Sequence, residues 1–372
     1  MNYGIREMLL GRFGIVSMLD NEFYRGKIVL VTGHTGFKGS WLCKILINSG
    51  AKVIGYSLPA PTNPNLYSLS GIENNIVSII GDIRDYDKLM LTFEKYQPEI
   101  VFHLAAQPIV RESYKEPRYT YETNVMGTVN VLECARKTSS VKSVLNVTTD
   151  KVYLNSDEYG HSFKEDEPLD GYDPYSNSKS CSELVTHSYK KSFFNDANIA
   201  ISTARAGNVI GGGDFSIDRI LPDAVRAIEK KKDIIVRNPS STRPYQFVLE
   251  PLYLYLLIAE KQYKDKKYQG YYNVGPDEVD CVTTGELMDI FCKTWEGDAK
   301  WHSTNNDGPH EAGYLKLDCS KARKIFNWKP RTHINDAIEY VCEWTKAYFD
   351  NKDDVSRIMD SEIIRFFNQN GK

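Results

Sequence analysis

"KIVLVTGHTGFKGSWL", residues 27–42, joins an apolar run to a glycine-spaced turn and then to the start of a helix. The run "KIVLVT" is short, β-branched and almost free of polar interruption, as a strand covered on both faces must be. Gly33, Gly36 and Gly39 follow as G-x-x-G-x-x-G. Glycines so spaced permit a tight turn and let backbone N–H groups approach a pyrophosphate seated on the helix N-terminus. With a strand before it and a helix after it, the loop reads as a dinucleotide-binding βα turn.

The same rhythm continues outward. "KVIGYS" (52–57), "IVSII" (76–80), "IVFHLAA" (100–106), "KSVLNVTT" (142–149) and "IAISTARAG" (199–207) read as further strands, with helices over 37–49 and 119–137 among the crossovers. The expected fold is α/β, a Rossmann-type doubly wound parallel sheet with a smaller C-terminal substrate-binding lobe. We place the dinucleotide-binding domain at 21–208 and a mainly substrate-binding lobe at 209–350. That lobe returns in part to the sheet, through a buried helix "FVLEPLYLYLLIAEKQY" (247–263) and a strand "GYYNVG" (270–275). Residues 351–372 read as a loosely packed polar tail with an amphipathic piece, "IIRFF". Residues 1–20 are apolar but interrupted by Arg6 and Arg12, with no small-residue cleavage site. They read as an extension, or as the product of an upstream start codon with Met18 as the working start.

A formal net charge of -3 gives no basic field to attract nucleic acid. No run approaches the ~18 apolar residues of a membrane span. Seven cysteines, odd in number and scattered, suit reduced thiols in a cytoplasm better than disulfides or zinc. The seven histidines, His34, His103 and His310 among them, lack ligand spacing, so no metal is expected.

Two further stretches bear on chemistry. The second strand ends in Tyr56-Ser57-Leu58, with neither the carboxylate that reads a ribose diol nor an arginine for a 2′-phosphate, which leaves NAD and NADP both open. In "GDIRD" (81–85), Asp82 can face an adenine amine with Ile83 on the ring, or it can cap a turn. In "GYDPYSNSK" (171–179), Asp173 can cap a helix that Pro174 opens, setting Tyr175 and Lys179 four apart on one face. A phenol of pKa ~10 is a poor base, and a neighbouring ammonium lowers that value. Such a pair can take a proton from a sugar hydroxyl while hydride leaves to a nicotinamide.

"TGHTGFKG", "HLAAQ" (103–107), "TNVMGTVNVLE" (123–133), "TTDK" (148–151), "YSNSK" (175–179) and "RAGNVIGGGD" (205–214) occur in one order over nearly the whole chain. In these the chain resembles the extended short-chain dehydrogenase/reductase family, and within it the nucleotide-sugar 4,6-dehydratases. "GHTGFKGSWL", "YDPYSNSK", "RPYQFVLEPL" (243–252) and "HEAGYLKLDCSKAR" (310–323) carry the narrower likeness. The resemblance implies NAD as cofactor, held by Gly33, Thr35, Gly36, Phe37, Gly39, Ser57, Asp82, Ile83, Leu104, Ala105, Ala106, Tyr175 and Lys179. It implies CDP-glucose as substrate, oxidised at carbon 4, dehydrated across carbons 5 and 6, and reduced at carbon 6. In that scheme Thr149 bonds the hexose near carbon 4, Tyr175 is the base for its hydroxyl, and Lys179 tunes the phenol. Asp150 is the acid for departing water, and Lys151 stands where thymidine-sugar relatives carry a glutamate base. Gln107, Asn208, Arg219, Arg243 and Tyr314 are the implied substrate contacts, with Lys316 a weaker one. From the residues alone, Arg219 and Arg243 could instead pair with Asp214, Asp218 or Glu250. The helix over 119–137, with the Tyr175 helix, is either a homodimer face or core. The alternative activities are another nucleotide-sugar dehydration or a 4-epimerisation.

Overall fold

The structure, a computed structural model, describes residues 22–304 and 313–368. The reading of residues 1–20, and positions 310–312 and 369–372, lie outside the described residues. Seven of the apolar runs become strands: β1 (Ile28–Thr32), β2 (Lys52–Ser57), β3 (Val77–Ile80), β4 (Ile100–His103), β5 (Ser143–Val147), β6 (Ala200–Ala206) and β7 (Tyr271–Val274). All pair in parallel, in the order β7-β6-β5-β4-β1-β2-β3. The main helices are α1 (Phe37–Asn48), α2 (Tyr86–Tyr96), α3 (Gly127–Lys137), α4 (Pro174–Tyr189), α5 (Ile220–Glu229), α6 (Leu249–Lys264), α7 (Thr284–Trp295), α8 (Ile334–Asp350) and α9 (Val355–Asn368).

The inner strands are buried along their whole length, which is why they read as unbroken apolar runs. Strand order reverses direction between β1 and β4, and in open parallel sheets the crevice at that point, beyond the C-terminal strand ends, takes the ligand. Thr32 fastens the two strand ends there: its hydroxyl meets His103 Nδ1 at 2.8 Å and accepts the amides of Leu104 and Ala105 at 3.2 Å. Helix α6 is buried around nearly its whole circumference, as its all-round apolar sequence requires. Its Glu250 accepts the amides of Arg331 and Thr332 at 2.7 and 2.8 Å.

One expectation needs refinement and one needs correction. The helix over 119–137 is continuous, starting at Pro117, but it contains a widened π-helical turn over Glu122–Met126 before α3 follows. From that turn the Asn124 side chain bonds the Gln107 backbone at 2.8 and 3.0 Å and Ser178 at 2.9 Å. The C-terminal stretch is no loose tail over its described part. Helix α9 buries Val355, Met359, Ile363 and Phe366, and its Asp360 reaches Lys44 at 2.8 Å and Asn48 at 2.7 Å on α1. Phe366 is fully buried beside Phe247 and Tyr253. Replacing it by Ala is expected to cost about 3–5 kcal/mol, seen as an earlier midpoint in urea unfolding.

Candidate active site

The glycine loop leaves β1 at the crevice. Gly33 has φ +77°, and a side chain on it would stand 2.8 Å from the Ala105 amide. A methyl on Gly39 would meet the Gly33 carbonyl oxygen at 2.1 Å, so the turn closes only with hydrogen there. Gly36 caps α1 without any side-chain hydrogen bond, and no acidic residue stands in the first turn. The first amides of a twelve-residue helix are therefore left for an external anion. These residues fit the pyrophosphate of a dinucleotide. Gly39→Ala is expected to cost about 1–3 kcal/mol of stability and to weaken dinucleotide binding, read by titration.

Beside the loop, Thr35 and Ser57 share a hydrogen bond of 2.9 Å, and Thr35 also donates to the Leu58 carbonyl. Two hydroxyls thus occupy the strand end where a carboxylate would read a ribose. Phe37 opens α1 with its ring against Gly211. Asp82 takes the turn role: it accepts the Arg84 amide at 2.9 Å and pairs with the Arg84 guanidinium at 2.6 Å. Ile83 is buried with its side chain against Gly127.

Across the crevice, α4 starts as its sequence dictates. Asp173 accepts the Ser176 amide at 3.0 Å and Pro174 fills the first helical position. This places Tyr175 and Lys179 over the end of β5. Lys179 Nζ donates to the Val147 carbonyl at 3.0 Å, a strand-end contact rather than one to the phenol. Burial pulls the Lys179 ammonium down to about 8 against the opposing charge of Glu183. Burial pushes the Tyr175 phenol up to about 12, although a hydrogen bond with Thr149 and the charge of Arg219 act the other way. Thr149 donates to Asp150 Oδ1 at 2.9 Å, and Lys151 Nζ lies 3.4 Å from both Asp150 Oδ1 and Asn208 Oδ1. The Asp150 side chain is almost fully buried, and its second oxygen has no hydrogen-bond partner.

These groups line one cleft of about 740 Å³, a volume suited to a small organic ligand. Leu104, Ala106, Asn208, Arg219 and Arg243 also line it. Arg219 stands 3.7 Å from Asp214, a loose pairing, and Arg243 donates to the Thr242 carbonyl at 2.9 Å. Gln107 does not reach the cleft: its amide group bonds Ile109 and Thr120 and shapes the turn after β4. Tyr314 is likewise placed elsewhere, buried with its ring against Tyr159 and under the Lys316 ammonium, which pairs with Glu278. The sequence reading passed over Lys38, inside the glycine loop. Its side chain lines the same cleft, where burial, with Arg219 and Lys179 adding to it and Asp150 opposing, pulls the amine down to about 7. A lysine in the first turn of a phosphate-facing helix was the available signal.

Residues 30–341 match the family model for GDP-mannose 4,6 dehydratase. The CDP-glucose 4,6-dehydratase of Salmonella typhimurium (strain LT2) is 46% identical over 342 residues, 90% of this chain and 95% of that protein. Among solved structures, the epimerase Mth375 of Methanothermobacter thermautotrophicus superposes with a TM-score of 0.78 at 22% identity, covering 92% of this chain and 98% of that one. The dTDP-glucose 4,6-dehydratase of Bacillus anthracis, solved with NAD, gives 0.72 at 21% identity, covering 88% and 98%. At such identities the two structures speak for the fold alone. With a parallel sheet in this order, a glycine loop at its switch point and a family match over most of its length, the chain belongs to the GDP-mannose 4,6 dehydratase family, among the extended short-chain dehydrogenases/reductases.

Proposed function

We propose that the protein catalyses the NAD-dependent 4,6-dehydration of CDP-glucose, giving CDP-4-dehydro-6-deoxy-D-glucose and water. The observation that carries dehydration over epimerisation is the buried Asp150 beside Lys151, both on the same cleft as Thr149 and Tyr175. Epimerisation at carbon 4 needs no proton removed from carbon 5. The cytidine nucleotide rests on the 46% identity to a CDP-glucose 4,6-dehydratase.

NAD, held on the glycine loop, supplies an acceptor for the carbon 4 hydride and a donor for carbon 6, so no external oxidant is needed. Tyr175 takes the proton of the carbon 4 hydroxyl, with Thr149 bonded to the same oxygen. The resulting ketone acidifies the hydrogen on carbon 5, and Lys151 removes it. Asp150 protonates the carbon 6 oxygen as its C–O bond breaks, and water leaves. Lys151 then returns a proton to carbon 5. The proton gained by Tyr175 and the proton lost by Asp150 lie at the two ends of the Tyr175–Thr149–Asp150 hydrogen-bonded line, which can reset both. Arg219 and Arg243, forked cations on the cleft, suit the diphosphate.

The reading includes a cytoplasmic homodimer. The dimer is supported by the α3 and α4 neighbourhood, which leaves Met126, Leu184 and Phe193 exposed. Incubating the pure protein with CDP-, dTDP-, GDP- and UDP-glucose tests the function. A keto-deoxysugar chromophore in alkali from CDP-glucose supports it; an epimeric hexose, or turnover of another nucleotide sugar alone, overturns it.

A further inference from the structure

Behind the cleft lies a buried ion pair, with His187 Nε2 on α4 3.5 Å from its carboxylate, that the steps above leave without a role. Glu183 on α4 and Arg205 on β6 are both fully buried, far from the surface where most such pairs sit. Arg205 grips the carboxylate with two parallel bonds, Nε to Oε1 and Nη2 to Oε2, each 3.0 Å. The rest of the guanidinium is satisfied by the Tyr153 hydroxyl at 2.8 Å and the Glu165 carbonyl at 3.0 Å. A buried pair of this kind is weak evidence for stability, since well-packed apolar residues often serve as well. Its placement therefore calls for another account.

The carboxylate of Glu183 is wired to the reacting end of β5. Thr148 donates to Oε1 at 2.5 Å, and Thr203 on β6 donates to Oε2 at 2.8 Å. Thr148 immediately precedes Thr149 and Asp150, so the bond fixes the backbone that aims both side chains. Tyr153, just past Lys151, is held from the other side: it accepts from Arg205 and donates to Asn273 at 2.5 Å. The segment from Thr148 to Tyr153 is thus pinned at both ends by the same ion pair. On α4, Glu183 stands one turn beyond Lys179 on the same face.

We propose that Glu183, held by Arg205, is a positioning residue for this reaction: it fixes the Thr148–Tyr153 segment against α4 and supplies the counter-charge that keeps Lys179 an ammonium. This rests on the proposed function for its chemistry, though not for its geometry. The cations and titratable groups facing Lys179 from other elements are Lys38 on the glycine loop and His103 on β4, with Tyr175 one turn back on α4. Lys38 opposes a second positive charge, and Glu183 is the carboxylate that acts on Lys179 against its burial. Arg205 in turn holds Glu183 ionised: burial alone would raise its carboxyl, and the guanidinium beside it, with His187 and the Thr148 hydroxyl adding to it, brings it down to about 2.

The test compares Glu183→Gln with the double replacement Glu183→Gln/Arg205→Gln in the full chain. The single change strands a buried guanidinium and can fail to fold; the double change removes both charges and keeps the packing. Two readouts are needed. The first is the ¹³C resonance of the Lys179 Cε, titrated in the absence of substrate and assigned by its loss in Lys179→Met. The second is kcat and KM against pH. The midpoint of Lys179 is expected to fall by about one pH unit in the single variant and by less in the double one. The break in the pH profile, near 8 in the natural protein, is expected to move down with it, and kcat to drop about 10²-fold with KM little changed. A folded double variant with the wild-type Lys179 midpoint and wild-type kcat overturns the proposal. So does one in which kcat falls with the Lys179 midpoint unmoved, which would make the pair merely structural. Should CDP-glucose prove the wrong substrate, the wild-type assay fails while the Lys179 titration still reports on Glu183.

Discussion

Tyr175→Phe is expected to lower kcat on CDP-glucose about 10³-fold, with KM and the thermal midpoint little changed. Only the phenolic oxygen is removed. The helix start it stands on is secured by Asp173 and Pro174, and Lys179 keeps its bond to the Val147 carbonyl. The same variant should erase a feature of the pH profile. Tyr175 acts as phenolate, and burial pushes it up to about 12, so the reactive fraction grows with pH across the neutral range. Lys179 acts as ammonium and is lost as pH rises through about 8. The product of the two fractions climbs with unit slope below about 8 and is level above it. A break in log kcat/KM near that point is expected for the natural protein and its absence for Tyr175→Phe. Near-normal turnover by the variant would remove Tyr175 from the mechanism.

What could be read in advance follows from how far apart in sequence the cooperating residues are. The glycine loop and the Tyr175–Lys179 pair are local: spacing along one turn or one helix face already places their side chains. The strands were readable because burial on both faces leaves no polar position in the run. Gln107 and Tyr314 are not among the residues lining the cleft, and the sequence does not show this because a side chain's direction depends on neighbours elsewhere. Asn124, held in a widened helical turn, anchors the backbone of Gln107, and the Gln107 amide group then folds onto Ile109 and Thr120. The packing of α9 depends on α1, some three hundred residues earlier in the chain, through Lys44–Asp360 and Asn48–Asp360. Glu183 and Arg205 come from different elements and meet only once β5, β6 and α4 are assembled. No composition or periodicity announces that meeting.

Lys151→Met is expected to abolish dehydration by about 10²–10⁴-fold while the oxidation of carbon 4 survives. The argument turns on a proton count. An amine accepts the carbon 5 proton only when neutral, and an acid serves the leaving oxygen only when protonated. Lys151 Nζ and Asp150 Oδ1 lie 3.4 Å apart, and the ion pair and the reactive neutral pair contain the same number of protons. One transfer along that contact converts the resting arrangement into the reactive one, so no proton has to come from solvent. Asn208 Oδ1, also 3.4 Å from Nζ, keeps the amine at the cleft in either state. Removing the amine leaves Asp150 buried without it, yet leaves Thr149, Tyr175 and Lys179 in place. A single turnover of Lys151→Met with CDP-glucose should therefore accumulate the absorbance of reduced nicotinamide and release no keto-deoxysugar. Lys151→Glu should dehydrate faster than Lys151→Met, because a carboxylate in that position can again accept the proton. Dehydration by Lys151→Met at the natural rate would move the base to another group on the cleft.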